Sequence, residues 1–482
     1  MTVWFDVEDL IRFFQSAKRP TGIQRFSFEV CAATAHLAGQ TNDIGFCRRN
    51  ELGTRLLRVD FAALEASIRA SSEHILQPPA AIAAAPPAAP PTPSRLFTLA
   101  RSLPPAYRLP LGEIYRSGLA SARATKTLAK ACLAALRPAP VPDSSPAPRL
   151  PAETASLPLS LQPGDWLVNL GASWERPYTR AFLDHLDKSG IRLGLFAHDM
   201  IPDLFPEWCT HSMVQDFSDW LEDTVPRASQ VFAISNHTLK DLEFCLKRRN
   251  RPVPPYALLP PGGNGTAPTA KLPRPLPQPY ILMVGTIEAR KNHGGMLRVW
   301  RRLLNDPPAN GVPCLVFAGK AGWLTSDLMQ QLENARHLDG KILFVDQPSE
   351  TQLAALYQHC LFTLYPSLYE GWGLPVTESL CFGKPVAASS SSAIPEAGGS
   401  FCCYFDPDNL TDAYTKIRTW IEQPEQPAAA AARIAQHFTP PRWTDTARSL
   451  LHDCTAARPA SAPMRASKIA GEHNPPQHAG GG

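Results

Sequence analysis

The stretch SLYEGWGLPVTESLCFGKPV (residues 367–386) decides the fold. Ahead of it, LFTLYPS (361–367) reads as a buried strand that ends at Pro366-Ser367. A glycine-bearing turn follows. Pro375 suits the first turn of a helix, where its missing N–H leaves nothing unpaired. Gly371 and Gly373 let the backbone approach a ligand closely. The free N–H groups and the dipole at that helix start attract an anion, most readily a phosphate. Glu370 stands before the turn and Glu378 one turn inside the helix, so both border the anion site. Carboxylates repel a phosphate. Accepting paired hydrogen bonds from sugar hydroxyls suits them better, one carboxylate for each sugar of a nucleotide sugar. The competing reading is a loop glutamate and a helix-start glutamate that satisfies the dipole.

Outward from this stretch the same alternation repeats. YILMVG (280–285), CLVFAG (314–319), KILFVD (341–346) and KPVAAS (384–389) read as strands. Between them NHGGMLRVWRRLLND (292–306), SDLMQQLENARHL (326–338) and ETQLAALYQHC (350–360) carry helical periodicity. Toward the N-terminus, TVWFDV, DWLVNLG (165–171), LGLFAHDM (193–200) and QVFAIS (230–235) alternate with helical YTRAFLDHLDKSG (178–190) and NHTLKDLEFCLKR (236–248). The pattern predicts an α/β chain with two Rossmann-like doubly wound domains, each a parallel sheet covered on both faces. KRPTGIQR (18–25) is turn-like. Turn residues cluster at 254–279, where the boundary is placed. The expected division is 1–263, interrupted by an insert at 77–163; 264–440; a helix at 441–454 that crosses back to the first domain; and a disordered tail at 455–482. Two such domains facing each other place a ligand between their strand C-termini.

Composition narrows the function. The chain has 482 residues, with Lys+Arg 47 against Asp+Glu 43, too balanced for a dedicated nucleic-acid binder. No apolar run approaches the ~20 residues that span a bilayer. The start is acidic at Asp6, Glu8 and Asp9, unlike a secretory leader, so a cytoplasmic protein is expected. Eleven scattered cysteines, without metal-ligand spacing, read as buried free thiols. Residues 77–163 hold 18 of the 50 prolines. Within them, 95–137 carry eight Lys and Arg against Glu113 alone. That basic helical stretch either lies on an anionic membrane surface or presents a solvated face.

Three further segments sit where strands end. Arg290 and Lys291 follow the turn Gly285-Thr286; in a cleft two adjacent cations suit a diphosphate, on a surface they are merely solvated. His198-Asp199 close an apolar strand. A histidine there is either a satisfied core residue or a group facing the cleft, and Asp199 orients it, binds hydroxyls or caps the next turn. Gly262-Gly263 read as hinge or as ordinary turn. GKAGWLTS (319–326) lacks Walker spacing, and neither GxSxG nor HExxH occurs. No Asp-x-Asp is placed to hold a divalent ion, so transfer without a metal is expected, with cations and a helix N-terminus in its place.

The Glu-x7-Glu segment, SSSSAIPEAGG…YFDPDN (389–409) and VGTIEARKNH (284–293) resemble the GT-B glycosyltransferases of family 4, a group of retaining enzymes. TGIQR (21–25), GDWLVNLGASW (164–174), FAHDMIPDLFPEW (196–208) and FAISNHT (232–238) resemble a subgroup that acts in bacterial surface-polysaccharide assembly. The resemblance covers about 1–76 and 164–454. It implies a hexosyltransferase using GDP-mannose or a UDP-hexose, mannose being favoured, and a saccharide or lipid-linked acceptor. It implies catalytic roles for Glu370, His198, Lys291 and Arg290. The donor site would add Gly285, Thr286, Gly371, Trp372, Gly373, Leu374 and Glu378, with Lys291 on the diphosphate, Glu370 on the sugar and Glu378 on the ribose. His198 would face the donor sugar. Gly22, Arg25 and Asp199 would form the acceptor or phosphate loop. Many members carry Arg where this chain has Thr286, which leaves Arg290 as the substitute. Peripheral membrane contact would fall to 95–137. The rivals are a GT-B sugar-nucleotide epimerase or phosphorylase, which an acceptor requirement separates, and a non-catalytic saccharide-binding scaffold.

Overall fold

The computed structural model describes residues 1–16, 22–38, 43–51, 53–73, 158–263 and 272–456. The basic stretch 95–137 and the tail beyond 456 lie outside the described residues, and with them the membrane-contact expectation. No helix among the described residues is long and apolar enough to cross a membrane.

The first domain is built on eight strands: β1 (Val3–Asp6), β2 (Ile44–Arg49), β3 (Leu56–Arg58), β4 (Pro158–Leu159), β5 (Trp166–Asn169), β6 (Arg192–Ala197), β7 (Gln230–Ala233) and β8 (Tyr256–Leu258). Their order is β4-β3-β2-β1-β5-β6-β7-β8. The six from β2 to β8 in that order are parallel, whereas β3 and β4 add antiparallel edges. The sheet is therefore mixed rather than purely parallel. It also corrects the insert: Pro158 and Leu159, assigned to 77–163, pair with Leu57 and Leu56. Two residues among prolines give no periodicity to read. Strand β8 likewise lies inside the turn-rich 254–279. The turn reading of 18–25 is corrected in part, because Gly22 opens helix Gly22–Ala38 and Arg25 lies in its first turn.

The second domain follows as β9 (Tyr280–Val284), β10 (Cys314–Ala318), β11 (Ile342–Val345), β12 (Thr363–Tyr365), β13 (Val386–Ser389) and β14 (Cys402–Phe405). All pairs are parallel, in the order β11-β10-β9-β12-β13-β14. Nearly every strand residue in β1, β5, β9 and β10 is buried, as befits sheets covered on both faces. The helices explain the cover. In Arg180–Lys188, capped by the Thr179 hydroxyl accepting from the Phe182 amide, Phe182, Leu183 and Leu186 form the buried stripe. The expected pair of doubly wound α/β domains facing across a cleft is what the structure shows.

Helix Trp443–Thr455 packs on the first domain, where Trp443, Ala447, Leu450 and Cys454 join its core. The two chain crossings lie side by side, since the Gly263 amide donates to the Pro441 carbonyl at 2.9 Å.

The topology positions the cleft. In an open α/β sheet a crevice forms outside the strand ends wherever neighbouring strands send their connections to opposite faces. In the second sheet that point lies between β9 and β12. In the first it lies between β1 and β5.

Candidate active site between the domains

A cleft of about 1140 Å³ separates the two sheets, lined from both domains. Its second-domain wall is the switch point just described. Segments 285–291 and 366–374 leave adjacent strands there and are joined directly: the Leu368 amide donates to the Arg290 carbonyl at 2.7 Å. Asn292, held in the left-handed region, donates from Nδ2 to the carbonyls of Pro366 and Pro407 at 3.3 and 3.2 Å. Thr286, which is uncharged, lines the cleft beside Gly285; the cations lining this wall are Arg290, Lys291 and Lys320.

Glu370 anchors the wall. Its Oε1 takes the Lys291 ammonium at 2.5 Å and its Oε2 the Arg290 guanidinium at 2.6 Å. Arg290 also reaches Glu288 at 2.8 Å and the Tyr369 carbonyl at 3.3 Å, and Lys291 donates to the Tyr365 hydroxyl at 2.8 Å. Burial alone would raise the Glu370 carboxyl. Arg290 and Lys291 outweigh it and hold the group at about 2. Burial, followed by the Arg290 charge, lowers the Lys291 ammonium, while the surrounding acids hold Arg290 fully charged against its own burial. The 389–393 loop braces the arrangement: Ser392 Oγ accepts from the Glu370 amide at 2.8 Å and Ser391 Oγ donates to the Leu368 carbonyl at 2.7 Å. Beyond Glu370, Gly373 adopts φ +109° and opens helix Leu374–Cys381 with no side-chain cap; Pro375 has no N–H and the Val376 amide donates to the Gly373 carbonyl at 2.9 Å, which leaves the Leu374 amide to face the cleft. Trp372 packs against the cores of both domains.

Glu378 does not stand open. Its Oε1 meets Arg25 of the first domain at 2.5 Å and its Oε2 accepts from Tyr357 at 3.1 Å. Arg25, expected in an acceptor or phosphate loop, thus meets a carboxylate of the second domain.

The backbones of the two domains meet at Gly371. A Cβ there would fall 1.9 Å from the His198 carbonyl oxygen, so only glycine fits. His198 itself is satisfied in the core. It is 5% exposed, packs on Phe26, Phe196 and Trp174, and donates from Nε2 to the Leu170 carbonyl at 2.8 Å. A carbonyl only accepts, so Nε2 carries the proton and Nδ1 is left as an acceptor. Burial pushes the imidazole down to about 4, and it is neutral near pH 7. Asp199 caps the next turn, accepting from the Ile201 amide at 3.0 Å.

Sequence reasoning missed the groups that clamp the domains. Glu396 accepts from the amides of Asn236 and His237 at 2.9 and 2.8 Å, capping a first-domain helix from the second domain. The Tyr369 hydroxyl donates to Asp241 at 2.7 Å and also contacts His237 Nε2 at 2.8 Å. Glu396 and the two amides it caps lie in segments already quoted, SSSSAIPEAGG and FAISNHT. Their meeting was not visible without the sheet order. Tyr365 and Glu288 were missed as well.

With this geometry in place, the likeness to known proteins is informative. Residues 268–437 match the family described as Glycosyl transferases group 1. The serotype-specific mannosyltransferase WbdA of Escherichia coli is 24% identical over 294 residues, 58% of this chain and 35% of that protein. The O-antigen chain mannosyltransferase B of Escherichia coli is 31% identical over 156 residues, 32% of this chain and 40% of that protein. The chain thus spans well under half the length of these relatives. Among solved structures, Anabaena Alr3699/HepE in complex with UDP aligns over 60% of this chain and 78% of its own, with a TM-score of 0.44 and 16% identity.

Proposed function

We propose that the protein is a hexosyltransferase of the family 4, retaining type, moving mannose from a nucleotide sugar to a saccharide or lipid-linked acceptor in surface-polysaccharide assembly. The observation that carries this is the convergence of 285–291 and 366–374 on one cation-rich wall beside an uncapped helix start. A sugar nucleotide pyrophosphate is a ligand that such a wall neutralises. Mannose and polysaccharide assembly are supported by the two mannosyltransferase relatives.

The residues divide the labour as follows. Arg290, Lys291 and the Leu374 amide at the helix start take up the charge that develops as the C1–O(phosphate) bond breaks. The acceptor oxygen bonds to C1 on the face the diphosphate leaves, and its proton passes to a donor phosphate oxygen, so the nucleoside diphosphate departs. Glu370 is a poor nucleophile, because each oxygen is already paired with a cation. It aligns the two cations and offers its remaining lone pairs to sugar hydroxyls. His198, neutral, accepts from a hydroxyl at Nδ1. Glu378 receives the ribose once Arg25 yields. The cations at this wall suit transfer without a bound metal.

The test is nucleotide release from GDP-mannose and UDP-hexoses, with and without acceptor, followed by product anomer analysis. Acceptor-dependent release of one nucleotide with the donor's anomeric configuration kept supports the reading. Absence of release, release without any acceptor or water transfer, or a covalent glycosyl-Glu370 overturns it.

A further inference from the structure

The first domain has a switch point of its own, and its loops meet in the same cleft. After β1 come Glu8 and Asp9; after β5 come Gly171, Ala172, Ser173, Trp174 and Glu175. Asp9 sits against this second loop so closely that a Cβ on Gly171 would fall 2.3 Å from its Oδ2. Its hydrogen bond, from the Ala172 amide, is long at 3.4 Å. No ion pair of the described residues includes Asp9, whereas Glu8 beside it holds Arg12 and Arg176 at 2.5 and 2.9 Å. Two more polar atoms stand unpartnered on the same loop. Ser173 is 2% exposed and Trp174 is 6%, yet Ser173 Oγ and Trp174 Nε1 have no hydrogen-bond partner. Native proteins rarely leave such groups unsatisfied, and two on one cleft-lining turn beside an unpaired carboxylate point to a ligand.

We propose that Asp9, Ser173 and Trp174 form a hydroxyl-binding set that fixes the sugar ring of the acceptor, a placement that rests on the transferase reading above. A carboxylate and a hydroxyl oxygen accept from vicinal sugar hydroxyls, and the indole N–H donates to a third oxygen. The groups are complementary to a neutral polyol and lack the unpaired cation that an acidic acceptor would need. Burial and Glu175 push the Asp9 carboxyl up to about 6, Asp6 adds to this, and the Ala172 amide and Arg49 oppose it. The binding form is therefore the ionised one, above that pH.

The experiment is saturation-transfer NMR on the full chain with methyl α-mannoside and methyl α-glucoside, in native protein, Asp9→Asn and Ser173→Ala. One glycoside binds the native chain. Asp9→Asn weakens it about tenfold, and Ser173→Ala severalfold, the range expected for charged and neutral hydrogen bonds. Native affinity rises from pH 5 to pH 7.5, and the rise disappears in Asp9→Asn. Thermal melting confirms folding; if Asp9→Asn does not fold, Ser173→Ala decides alone. Failure of both glycosides to bind, or equal affinities in native and variants, overturns the subsite. Nucleotide release by the native chain tests the transferase reading separately, so the two can fail independently.

Discussion

The molecule contains the same topological device twice and has filled it differently. At the β9/β12 switch point the acids around the cations are paired: Glu288 and Glu370 with Arg290, Glu370 with Lys291, Glu378 with Arg25. At the β1/β5 switch point Asp9, Ser173 and Trp174 are left with free capacity. A wall destined for a strongly anionic ligand needs cations held in place, and buried cations need carboxylates to offset their desolvation. A wall for a neutral polyol needs only hydrogen-bonding capacity, which is cheapest to keep as small buried groups. One crevice is thus organised by charge and the other by unsatisfied polarity.

The harshest way to break the comparison is at the charged wall. Lys291→Ala removes one of the two cations that the proposed mechanism sets against the leaving group and leaves Glu370 with Arg290 as its cation partner. Nucleotide release from the donor is expected to fall about 10²–10³-fold, the usual loss when one charge-stabilising donor is removed. A variant keeping more than a tenth of the native rate would mean that the cations serve the fold and not the reaction.

Titration sharpens the contrast, because the buried groups have opposite signs. His198 is pushed down to about 4 by burial, and His293, behind the charged wall, to about 3 by burial and then Lys291. As pH falls from 6.5 to 4 the unfolded chain takes up protons that these imidazoles refuse. Stability is therefore lost over that window, at about 1.4 kcal/mol per pH unit for each fully buried histidine. Asp9 works the other way between pH 3.8 and about 6, where the folded state holds the proton. Urea unfolding of His198→Gln should show a pH slope flatter by about 1.4 kcal/mol per unit, or about 3 kcal/mol over the window. An unchanged slope would place the imidazole in water.

These expectations also show what the sequence held. The apolar strand runs, the glycine turn and the Pro375 helix start were legible because each is local: burial, backbone freedom and a missing N–H act within a few residues. Edge strands β3, β4 and β8 were not, since two or three residues have no period. Which cation meets which acid was not legible either. Arg25 and Glu378 are 353 residues apart and come together only through strand order. Asp9 was read merely as an acid unsuited to a leader, because its meaning depends on Gly171 lying against it. Ser173 and Trp174 were within a quoted segment, but an unpaired atom has no sequence signature.

The contact between the two walls can be strained directly. Gly371→Ala drives a methyl into the His198 carbonyl, and the turn between the domains must give way. Overpacking of this kind costs about 1–3 kcal/mol. The variant should melt lower and transfer more slowly while still binding free GDP or UDP at the second domain. Equal loss of nucleotide binding would show that the charged wall depends on the first domain for its shape.

The smallest effect is expected where the two walls are tied by charge. Arg25 occupies Glu378 at 2.5 Å, and both side chains are partly exposed, 18% and 14%. A pair in that setting is worth about 1 kcal/mol. If the ribose must displace Arg25 to reach Glu378, then Arg25→Met, which keeps the length and drops the charge, removes a competitor. Nucleotide affinity measured by calorimetry should tighten about fivefold, the equivalent of that energy. The direction is the informative part. Weaker binding in Arg25→Met would mean that the guanidinium leaves Glu378 and reaches the phosphates when the ligand arrives, as its place in TGIQR first suggested. The first domain would then supply charge to the donor, and the division between a charged crevice and a polar one would follow the ligand and not the domain boundary.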